Sequence, residues 1–289
     1  MCCGLVTLDV VQTLDRLPAA NEKVVSRSVE ATFGGPAANA AATAVALGVP
    51  ARLVTVVGNG SLADVVRGEL ATAGVDLVEA ARPDGARPAV STVLVTGATG
   101  ERAVVSTNAG AVPDLDVDVD ALLPAEPGGV LLLDGHLPSL ALATARRARE
   151  RGDVVVLDGG SYKPGTAELL ALCDAVVLSD DFRLPGVPDD GTLAAVQALG
   201  PAFVAQSHGE APLEVLVAGE LSVVPVPRAE RVVDTLGAGD VLHGAFAAAL
   251  ARGARPLPAL EAAARVASHS VGFTGARGWT STAALLRYP

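Results

Sequence analysis

The sequence predicts an α/β protein in which a doubly wound, mostly parallel sheet is covered by helices. Short β-branched runs alternate with longer alanine- and leucine-rich runs along most of the chain, which is typical of strands joined by helical crossovers. Two regions of strand character lack an intervening helix, which indicates a second, smaller sheet. With 289 residues, of which 50% are hydrophobic and 18% charged, the chain can bury a folded core.

The buried strands are predicted where apolar residues run without interruption, as expected for strands covered on both faces. A first strand over 4–9 is followed by strands over 53–57, 130–133, 154–157, 175–178 and 203–205. Helices are predicted between them, starting at residues suited to a first turn and ending at glycines: 36–48, 61–74 and 138–152. Two further helices are expected near the C-terminus, one with Asp240 in its first turn that runs to about 252, and one from about 257 to 273.

The segments 10–32 and 89–107 alternate in polarity without a helix, and the second reads as a hairpin turning at 97–100. Together they predict a small β-sheet. Because such a sheet keeps one face exposed, we expect it to act as a lid over a ligand and as the contact surface of a homodimer. The whole chain, 1–289, is then one domain with a discontinuous lid formed by about 10–32 and 89–107.

Composition excludes several classes of partner. The net charge is −11, and no basic run exceeds Arg146-Arg147, so nucleic acid and anionic membranes are not expected partners. The longest uncharged stretch, 31–51, contains glycine, proline and asparagine, so no membrane span is predicted. The N-terminus lacks the basic region of a secretory signal, and we expect a cytoplasmic protein. Cys2, Cys3 and Cys173 are expected to be buried and unpaired.

The segment Asp-Thr-Leu-Gly-Ala-Gly-Asp at 234–240 passes from a strand into a helix. Gly237, Ala238 and Gly239 place bare backbone N–H groups at a helix N-terminus, which is an arrangement that binds anions. Asp240 either caps this helix or serves as a general base. A phosphoryl group held on these amides beside a carboxylate is what phosphoryl transfer to an alcohol requires. Neither a Walker A loop nor a Gly-x-Gly-x-x-Gly element after the first strand is present.

A second glycine-rich element precedes the first long helix. Gly34 and Gly35 form a tight turn there, and Asn39 stands alone as a polar residue among alanines. Asp9 ends the predicted first strand, at the edge where open α/β sheets bind ligands. We therefore expect Asp9, Gly34, Gly35 and Asn39 to hold the hydroxyls of a sugar, with Asn108 closing over it from the lid.

These two elements, Gly-Gly-x-x-x-Asn at 34–39 and Asp-Thr-x-Gly-Ala-Gly-Asp at 234–240, resemble those of the ribokinase-like PfkB family of carbohydrate and nucleoside kinases. The resemblance spans essentially the whole chain. Within the family, the segments 4–11 and 232–240 are most similar to ketohexokinases. The resemblance implies a ribokinase-like fold and an ATP-dependent, Mg²⁺-requiring transfer of the γ-phosphate to a hydroxyl of a small carbohydrate, with a ketose as one candidate.

The same resemblance implies a role for individual residues. Asp240 would be the catalytic base, and Gly237, Ala238 and Gly239 the anion hole for the transferred group. Family members often bind a monovalent cation such as K⁺ beside this hole, for which Asp234 and the Leu236 carbonyl are candidates. The nucleotide would contact Ser207, Gly209, Thr235, Gly237, Gly239, Ala267, Ser268 and Gly272.

The chain departs from the family pattern at three places. The Asn-x-x-Glu element that organises Mg²⁺ is replaced by Ser-Asp-Asp-Phe at 179–182, which leaves Asp180 as the candidate acid. Pro36 stands where relatives carry Lys or Asn, so one sugar contact is missing. The nucleotide loop reads Glu-Ala-Pro at 210–212. Lys163 and His136, which follow predicted strands, are further candidates for contact with substrate.

Two alternatives to a sugar kinase stay open. A nucleoside kinase of the same fold would need aromatic side chains to stack a base, and only eight are available (5 Phe, 2 Tyr, 1 Trp). A non-catalytic sugar or nucleotide sensor would use lid closure as its signal, but it would have no need of an acid at position 240.

Overall fold

The computed structural model describes residues 1–82, 85–97, 102–108, 117–286 and 288. Its larger sheet has nine strands in the described chain, and seven of them run parallel. A hairpin that the sequence did not predict adds two antiparallel strands at one edge. In spatial order the strands are Asp76–Glu79 (β5), Arg52–Thr55 (β4), Cys2–Cys3 (β1), Val130–Leu133 (β8), Val154–Gly159 (β9), Ala175–Leu178 (β10), Phe203–His208 (β11), Ala211–Val217 (β12) and Glu220–Val224 (β13).

A smaller, separate sheet is built from the two segments that lacked helices. Its order is Ser28–Gly34 (β3), Thr7–Leu14 (β2), Ala89–Thr96 (β6) and Arg102–Ser106 (β7). Strand β2 pairs antiparallel with β3 and parallel with β6, and β6 pairs antiparallel with β7. The turn expected at 97–100 falls mostly outside the described residues. The predicted fold class, a large mostly parallel sheet with a small second one, is confirmed.

The helices begin near the predicted residues and end slightly earlier. None of those in the described chain is both long and apolar enough to cross a bilayer. Their bounds are Pro36–Ala46 (α1), Ser61–Thr72 (α2), Val119–Leu122 (α3), Pro138–Arg151 (α4), Thr166–Leu170 (α5), Thr192–Ala198 (α6), Ala238–Ala251 (α7) and Pro256–Ser270 (α8), with short 3₁₀ turns at Asp189–Gly191 and Thr280–Leu285.

The large sheet separates two apolar layers. Helices α1, α2, α7 and α8 pack on one face, and α3 to α6 pack on the other. Strand β8 shows the division directly, because Leu132 joins the first layer while Leu131 and Leu133 join the second. Cys2 and Cys3 likewise point to opposite layers, and all three cysteines are buried and free, as expected.

The predicted first strand, over 4–9, is wrong. The central strand β1 contains only Cys2–Cys3, and the chain then leaves the large sheet and begins β2 of the small sheet at Thr7. The crossover is held where the Gly4 amide donates to the Val54 carbonyl and the Thr55 hydroxyl donates to the Gly4 carbonyl. Asp9 therefore lies on the small sheet and approaches the ligand edge from that side, not from the end of a core strand.

Helices α1 and α7 approach so closely that no side chain fits between them at position 244. A Cβ on Gly244 would lie 2.5 Å from the Ala40 carbonyl oxygen and 2.9 Å from the Thr43 Cβ. By contrast, Gly68 in α2 has open space where its Cβ would stand. Residue 244 is thus glycine because of packing, and this contact fixes α1 against α7.

Substitution of Gly244 by alanine is expected to lower the free energy of unfolding by about 1–3 kcal/mol, since the added methyl overpacks the helix contact. Gly68→Ala is the matched control, and it should raise stability by about 0.5–1 kcal/mol because alanine is the better helix former. Urea unfolding followed by circular dichroism measures both. Equal effects of the two substitutions would contradict the packing argument.

Candidate active site

The start of helix α7 presents backbone N–H groups in the arrangement predicted to bind an anion. Gly237 precedes the helix with φ of 73°, and a Cβ there would lie 2.4 Å from the Ala276 Cβ, so only glycine fits. The Ala238 amide donates to the Thr235 carbonyl at 3.3 Å, which makes it less available than the sequence suggested. The first-turn amides of Gly239 and Asp240 have no acceptor within a helix. The anion site therefore centres on Gly239, which is exposed.

Asp240 is held by a residue from the other end of the chain. Its Oδ2 accepts a hydrogen bond from Asn39 Nδ2 at 2.7 Å. Burial raises the pKa of Asp240 to about 7, the nearby Asp158 carboxylate adds to the rise, and the hydrogen bond from Asn39 opposes it. A carboxylate with this pKa can accept a proton near neutral pH, which is the property of a general base.

A buried histidine and a buried carboxylate lie in contact behind Asp240. The Nδ1 of His243 is 2.7 Å from the Gly239 carbonyl oxygen and 3.3 Å from Asp158 Oδ2, and its Nε2 is 3.0 Å from the Val177 carbonyl oxygen. Both ring nitrogens of His243 thus face oxygen atoms, which fixes the orientation of the ring. Burial raises the pKa of Asp158, and His243 opposes that rise. Sequence analysis had no signal for this role of His243.

Asp134 joins three parts of the site. Its Oδ2 accepts hydrogen bonds from the amides of Leu5 at 2.8 Å and Ala37 at 3.2 Å, and its Oδ1 accepts one from the His136 amide at 2.9 Å. The carboxylate thus fixes the crossover to the small sheet and the first turn of α1 to the end of β8. Burial lowers the pKa of His136. The half-buried Lys163 places its Nζ 3.5 Å from the Asp134 carbonyl oxygen.

The expected sugar-contacting residues meet where the small sheet joins the large one. Asp9 accepts a hydrogen bond from the Thr7 hydroxyl at 2.5 Å and packs on Gly34, where a Cβ would lie 1.9 Å from Asp9 Oδ2. Gly35 has φ of 93° and a Cβ there would contact the Leu5 carbonyl oxygen, so both glycines are required. Asn39 stands one turn into the helix that follows. Their proposed contacts with a sugar stay predictions.

Arg277 is a member of this site that sequence analysis missed. Its guanidinium donates to Asn39 Oδ1 and to the Thr32 hydroxyl, and its central carbon lies 3.6 Å from the centroid of the Phe33 ring. Burial lowers the pKa of Arg277, and the carboxylate of Asp9 opposes that change. The one available signal was the glycine-rich segment 275–278, which follows the last long helix.

A cleft of about 1020 Å³ opens on the other side of the α7 terminus. Ser268 has a buried hydroxyl oxygen without a hydrogen-bond partner in the described structure, so the wall offers an unused polar group to a ligand. Of the other residues expected to contact the nucleotide, Gly237 and Gly272 do not line this cleft in the described part of the chain, and the Gly272 amide donates to the His269 carbonyl at the end of α8. The expected nucleotide residues found in the lining are Ser207, Gly209, Thr235, Gly239, Ala267 and Ser268.

An arginine of the small sheet reaches this cleft. Arg102, the first residue of β7, donates from Nη1 to the Thr235 hydroxyl at 2.7 Å, and its side chain lines the cleft. Sequence analysis did not select Arg102. The contact places the cationic side chain of Arg102 near the start of α7.

The candidate metal residues have protein partners. Asp234 accepts hydrogen bonds from the Leu236 amide at 2.8 Å and the Gly275 amide at 2.9 Å, so it joins the loops before α7 and after α8. Asp180 lies 2.7 Å from His208 Nδ1, beside the cleft. Within the described ranges no cluster of three or more His, Cys, Asp or Glu residues is suited to hold a metal ion.

Asn108 is exposed at the end of the small sheet. Its φ is 47°, and its amide donates to the Ser106 hydroxyl at 3.1 Å. The structure shows no contact between its side chain and Asp240 or Asn39 in the described chain, so its role above a sugar stays a prediction.

Comparison with known proteins places this arrangement in a family. Residues 1–283 match the pfkB family of carbohydrate kinases. An ATP-dependent ribose-1-phosphate kinase of Halopiger xanaduensis is 31% identical, over 96% of this chain and 93% of its own. A ribokinase of Bacillus subtilis is 28% identical, over 96% of this chain and 94% of its own.

A solved structure supports the fold. Arabidopsis thaliana ribokinase, complexed with ribose and ATP, superposes with a TM-score of 0.79 at 22% identity, covering 100% of this chain and 98% of its own. The family match extends across nearly all of the sequence and includes both glycine-rich elements. The chain belongs to the pfkB family of carbohydrate kinases, and it is therefore a phosphotransferase whose acceptor is an alcohol group.

Proposed function

We propose that this protein transfers the γ-phosphate of ATP to a hydroxyl of ribose or a ribose derivative. The observation that carries the proposal is Asp240, whose pKa is raised to about 7 beside the anion site of α7. The names of the reported relatives favour a ribose-type acceptor. The ketose expected from the likeness to ketohexokinases has no support among those relatives and is kept as an alternative acceptor.

The nucleotide would occupy the cleft beside α7. The Ser268 hydroxyl, which has no partner among the described residues, would be available to the adenine base, and Ser207 and Gly209 would lie beside the polyphosphate. ATP supplies the phosphoryl group. The amides at Gly239 and Asp240, together with the helix dipole, would stabilise the charge that develops on this group during transfer.

The sugar would lie between the small sheet and α7. The Asp9 carboxylate is placed to accept hydrogen bonds from sugar hydroxyls, and Asn39 keeps a second N–H of its amide for the acceptor. Asp240 would take the proton from the attacking hydroxyl. Closure of the small sheet as a lid, with Asn108 on it, would exclude water and so limit hydrolysis.

Mg²⁺ would arrive on the phosphates, because this ion retains water and prefers phosphate and carboxylate oxygens. Asp180 is the acid that we propose near it, since its carboxylate contacts His208, whose chain neighbours Ser207 and Gly209 line the cleft. A monovalent cation beside Asp234 and the Leu236 carbonyl is proposed from the family resemblance alone.

Three other expectations are kept as proposals. The first is a homodimer formed through the small sheet, on which Val29, Val104 and Val105 are exposed. The second is a cytoplasmic location. The third is the alternative acceptor class, a nucleoside. A non-catalytic sensor is disfavoured because Asp240 has the pKa and position of a base.

A screen of acceptors tests the proposal. ADP release is measured with ATP and Mg²⁺ in the presence of ribose, ribose 1-phosphate, fructose or adenosine. We expect the largest stimulation with one of the two ribose compounds. Stimulation by fructose or adenosine alone would reassign the acceptor, and no stimulation by any sugar or nucleoside would favour a sensor.

Asp240→Asn should lower kcat by about 10²–10⁴-fold, because an amide cannot accept the proton, while the Kd for ATP stays nearly unchanged. Asp64→Asn is the matched control, since Asp64 also stands in the first turn of a helix, α2, but is exposed. Turnover and calorimetric ATP binding measure the two effects. An Asp240→Asn enzyme with wild-type turnover would exclude Asp240 as the base.

The pH dependence of kcat/KM should show an acidic limb near pH 7. Asp240 acts as a base only when ionised, and its pKa is raised to about 7, so activity should fall about tenfold per pH unit below that value. Initial rates between pH 5.5 and 8.5 measure the limb. A profile that is flat down to pH 5.5 would show that no group with a pKa near 7 must be ionised.

A further inference from the structure

We propose that Arg277 is a positioning residue that ties strand β3 of the small sheet to the catalytic base, by holding Asn39 with its amide nitrogen toward Asp240. The inference rests on the role proposed for Asp240. It concerns the arrangement of three side chains, from α1, α7 and the loop after α8, that the fold brings together from distant parts of the sequence.

The first step is the orientation of the Asn39 amide. This buried side chain has an oxygen that only accepts and a nitrogen that only donates. Its nitrogen contacts the Asp240 carboxylate, and its oxygen contacts the Arg277 guanidinium. The reversed amide would set oxygen against carboxylate and nitrogen against guanidinium. Arg277 therefore selects the orientation in which Asn39 donates to the base.

The second step is the link to the small sheet. The other side of the guanidinium donates to the Thr32 hydroxyl at 2.6 Å, and its plane lies against the ring of Phe33. Both residues belong to β3. A planar guanidinium can contact Thr32 and Asn39 at once, whereas a lysine ammonium offers a single point of charge. A shift of β3 would thus be transmitted to Asn39.

The third step is charge. Arg277 forms no ion pair within 4.0 Å in the part of the chain that the structure describes, so its charge acts on several acids at longer range. The acids that face it are Asp9, Glu30, Glu69 and Asp240. The other charged groups facing Asp240 are Asp158, Asp134 and His243. Because these four acids surround Arg277, a negatively charged group on the sugar is not expected to bind to this arginine.

The test compares Arg277→Gln and Arg277→Lys with Arg52→Gln, a control in β4 whose guanidinium pairs with Asp76. Loss of the positive charge should raise the pKa of Asp240, so the acidic limb of kcat/KM should move up by about one pH unit in Arg277→Gln. Its kcat at pH 7 should fall at least tenfold while the KM for ATP stays unchanged. In Arg277→Lys, which keeps the positive charge, the acidic limb of kcat/KM should lie at its wild-type pH, while kcat should stay below the wild-type value.

An unmoved limb in Arg277→Gln, or an equal movement in Arg52→Gln, would overturn the proposal. A wild-type kcat in Arg277→Lys would show that the planar guanidinium of Arg277 is not required. If Arg277→Gln does not fold, Thr32→Val tests the link to the sheet: kcat should fall several-fold with the limb unmoved, and an unchanged kcat would exclude the link.

A readout without turnover separates this proposal from the proposed function. Carboxyl ¹³C NMR of the wild-type protein, assigned by comparison with Asp240→Asn, gives the titration of Asp240 directly. If no acceptor is phosphorylated but the titration of Asp240 moves up in Arg277→Gln, the proposed function fails and the positioning role stands. If an acceptor is phosphorylated but the titration of Asp240 does not move in Arg277→Gln, the proposed function stands and the positioning role of Arg277 fails.

Discussion

The contact between α1 and α7 at Gly244 is the constraint on which the site depends. A backbone carbonyl of α1 occupies the space that a side chain at position 244 would need. Because the two helices cannot move apart without losing this contact, Asn39 on one is held against Asp240 on the other. The large sheet supports both helices, but the distance between α1 and α7 determines how Asn39 meets Asp240.

A second constraint is electrostatic. The ends of β8 and β9 and the start of α7 bring three carboxylates, Asp134, Asp158 and Asp240, close together at buried or half-buried positions. Their repulsion is offset on one side by His243 and on the other by Arg277, while backbone amides satisfy Asp134. The three acids therefore differ in their partners: Asp134 accepts backbone amides, Asp158 lies beside His243, and Asp240 is left able to exchange a proton near neutral pH.

The fold was largely predictable from the sequence, and the site only partly. Uninterrupted apolar runs gave the bounds of β8 and β10 because parallel strands are buried on both faces. The crossover after β1 was missed because residues on both sides have strand character. The β12–β13 hairpin was missed because alanine does not normally indicate a turn, although Ala218 adopts a φ of 51° there. Backbone motifs revealed Asp240 and Asn39. Arg277 was missed, since its role comes from tertiary contacts and only the glycine-rich segment 275–278 indicated the loop on which it lies.

The distances along the chain between partners have a consequence for biosynthesis. Asn39 and Arg277 are 238 positions apart, and Asn39 and Asp240 are 201 apart. At translation rates of roughly 5–20 residues per second, the ribosome needs on the order of 10–50 seconds to pass from the first partner to the last. Throughout that interval the nascent chain lacks Arg277 or both Asp240 and Arg277, so the Asn39 amide has at most one of its two partners. The hydrogen-bonded arrangement of these three side chains can therefore form only after residue 277 has been translated.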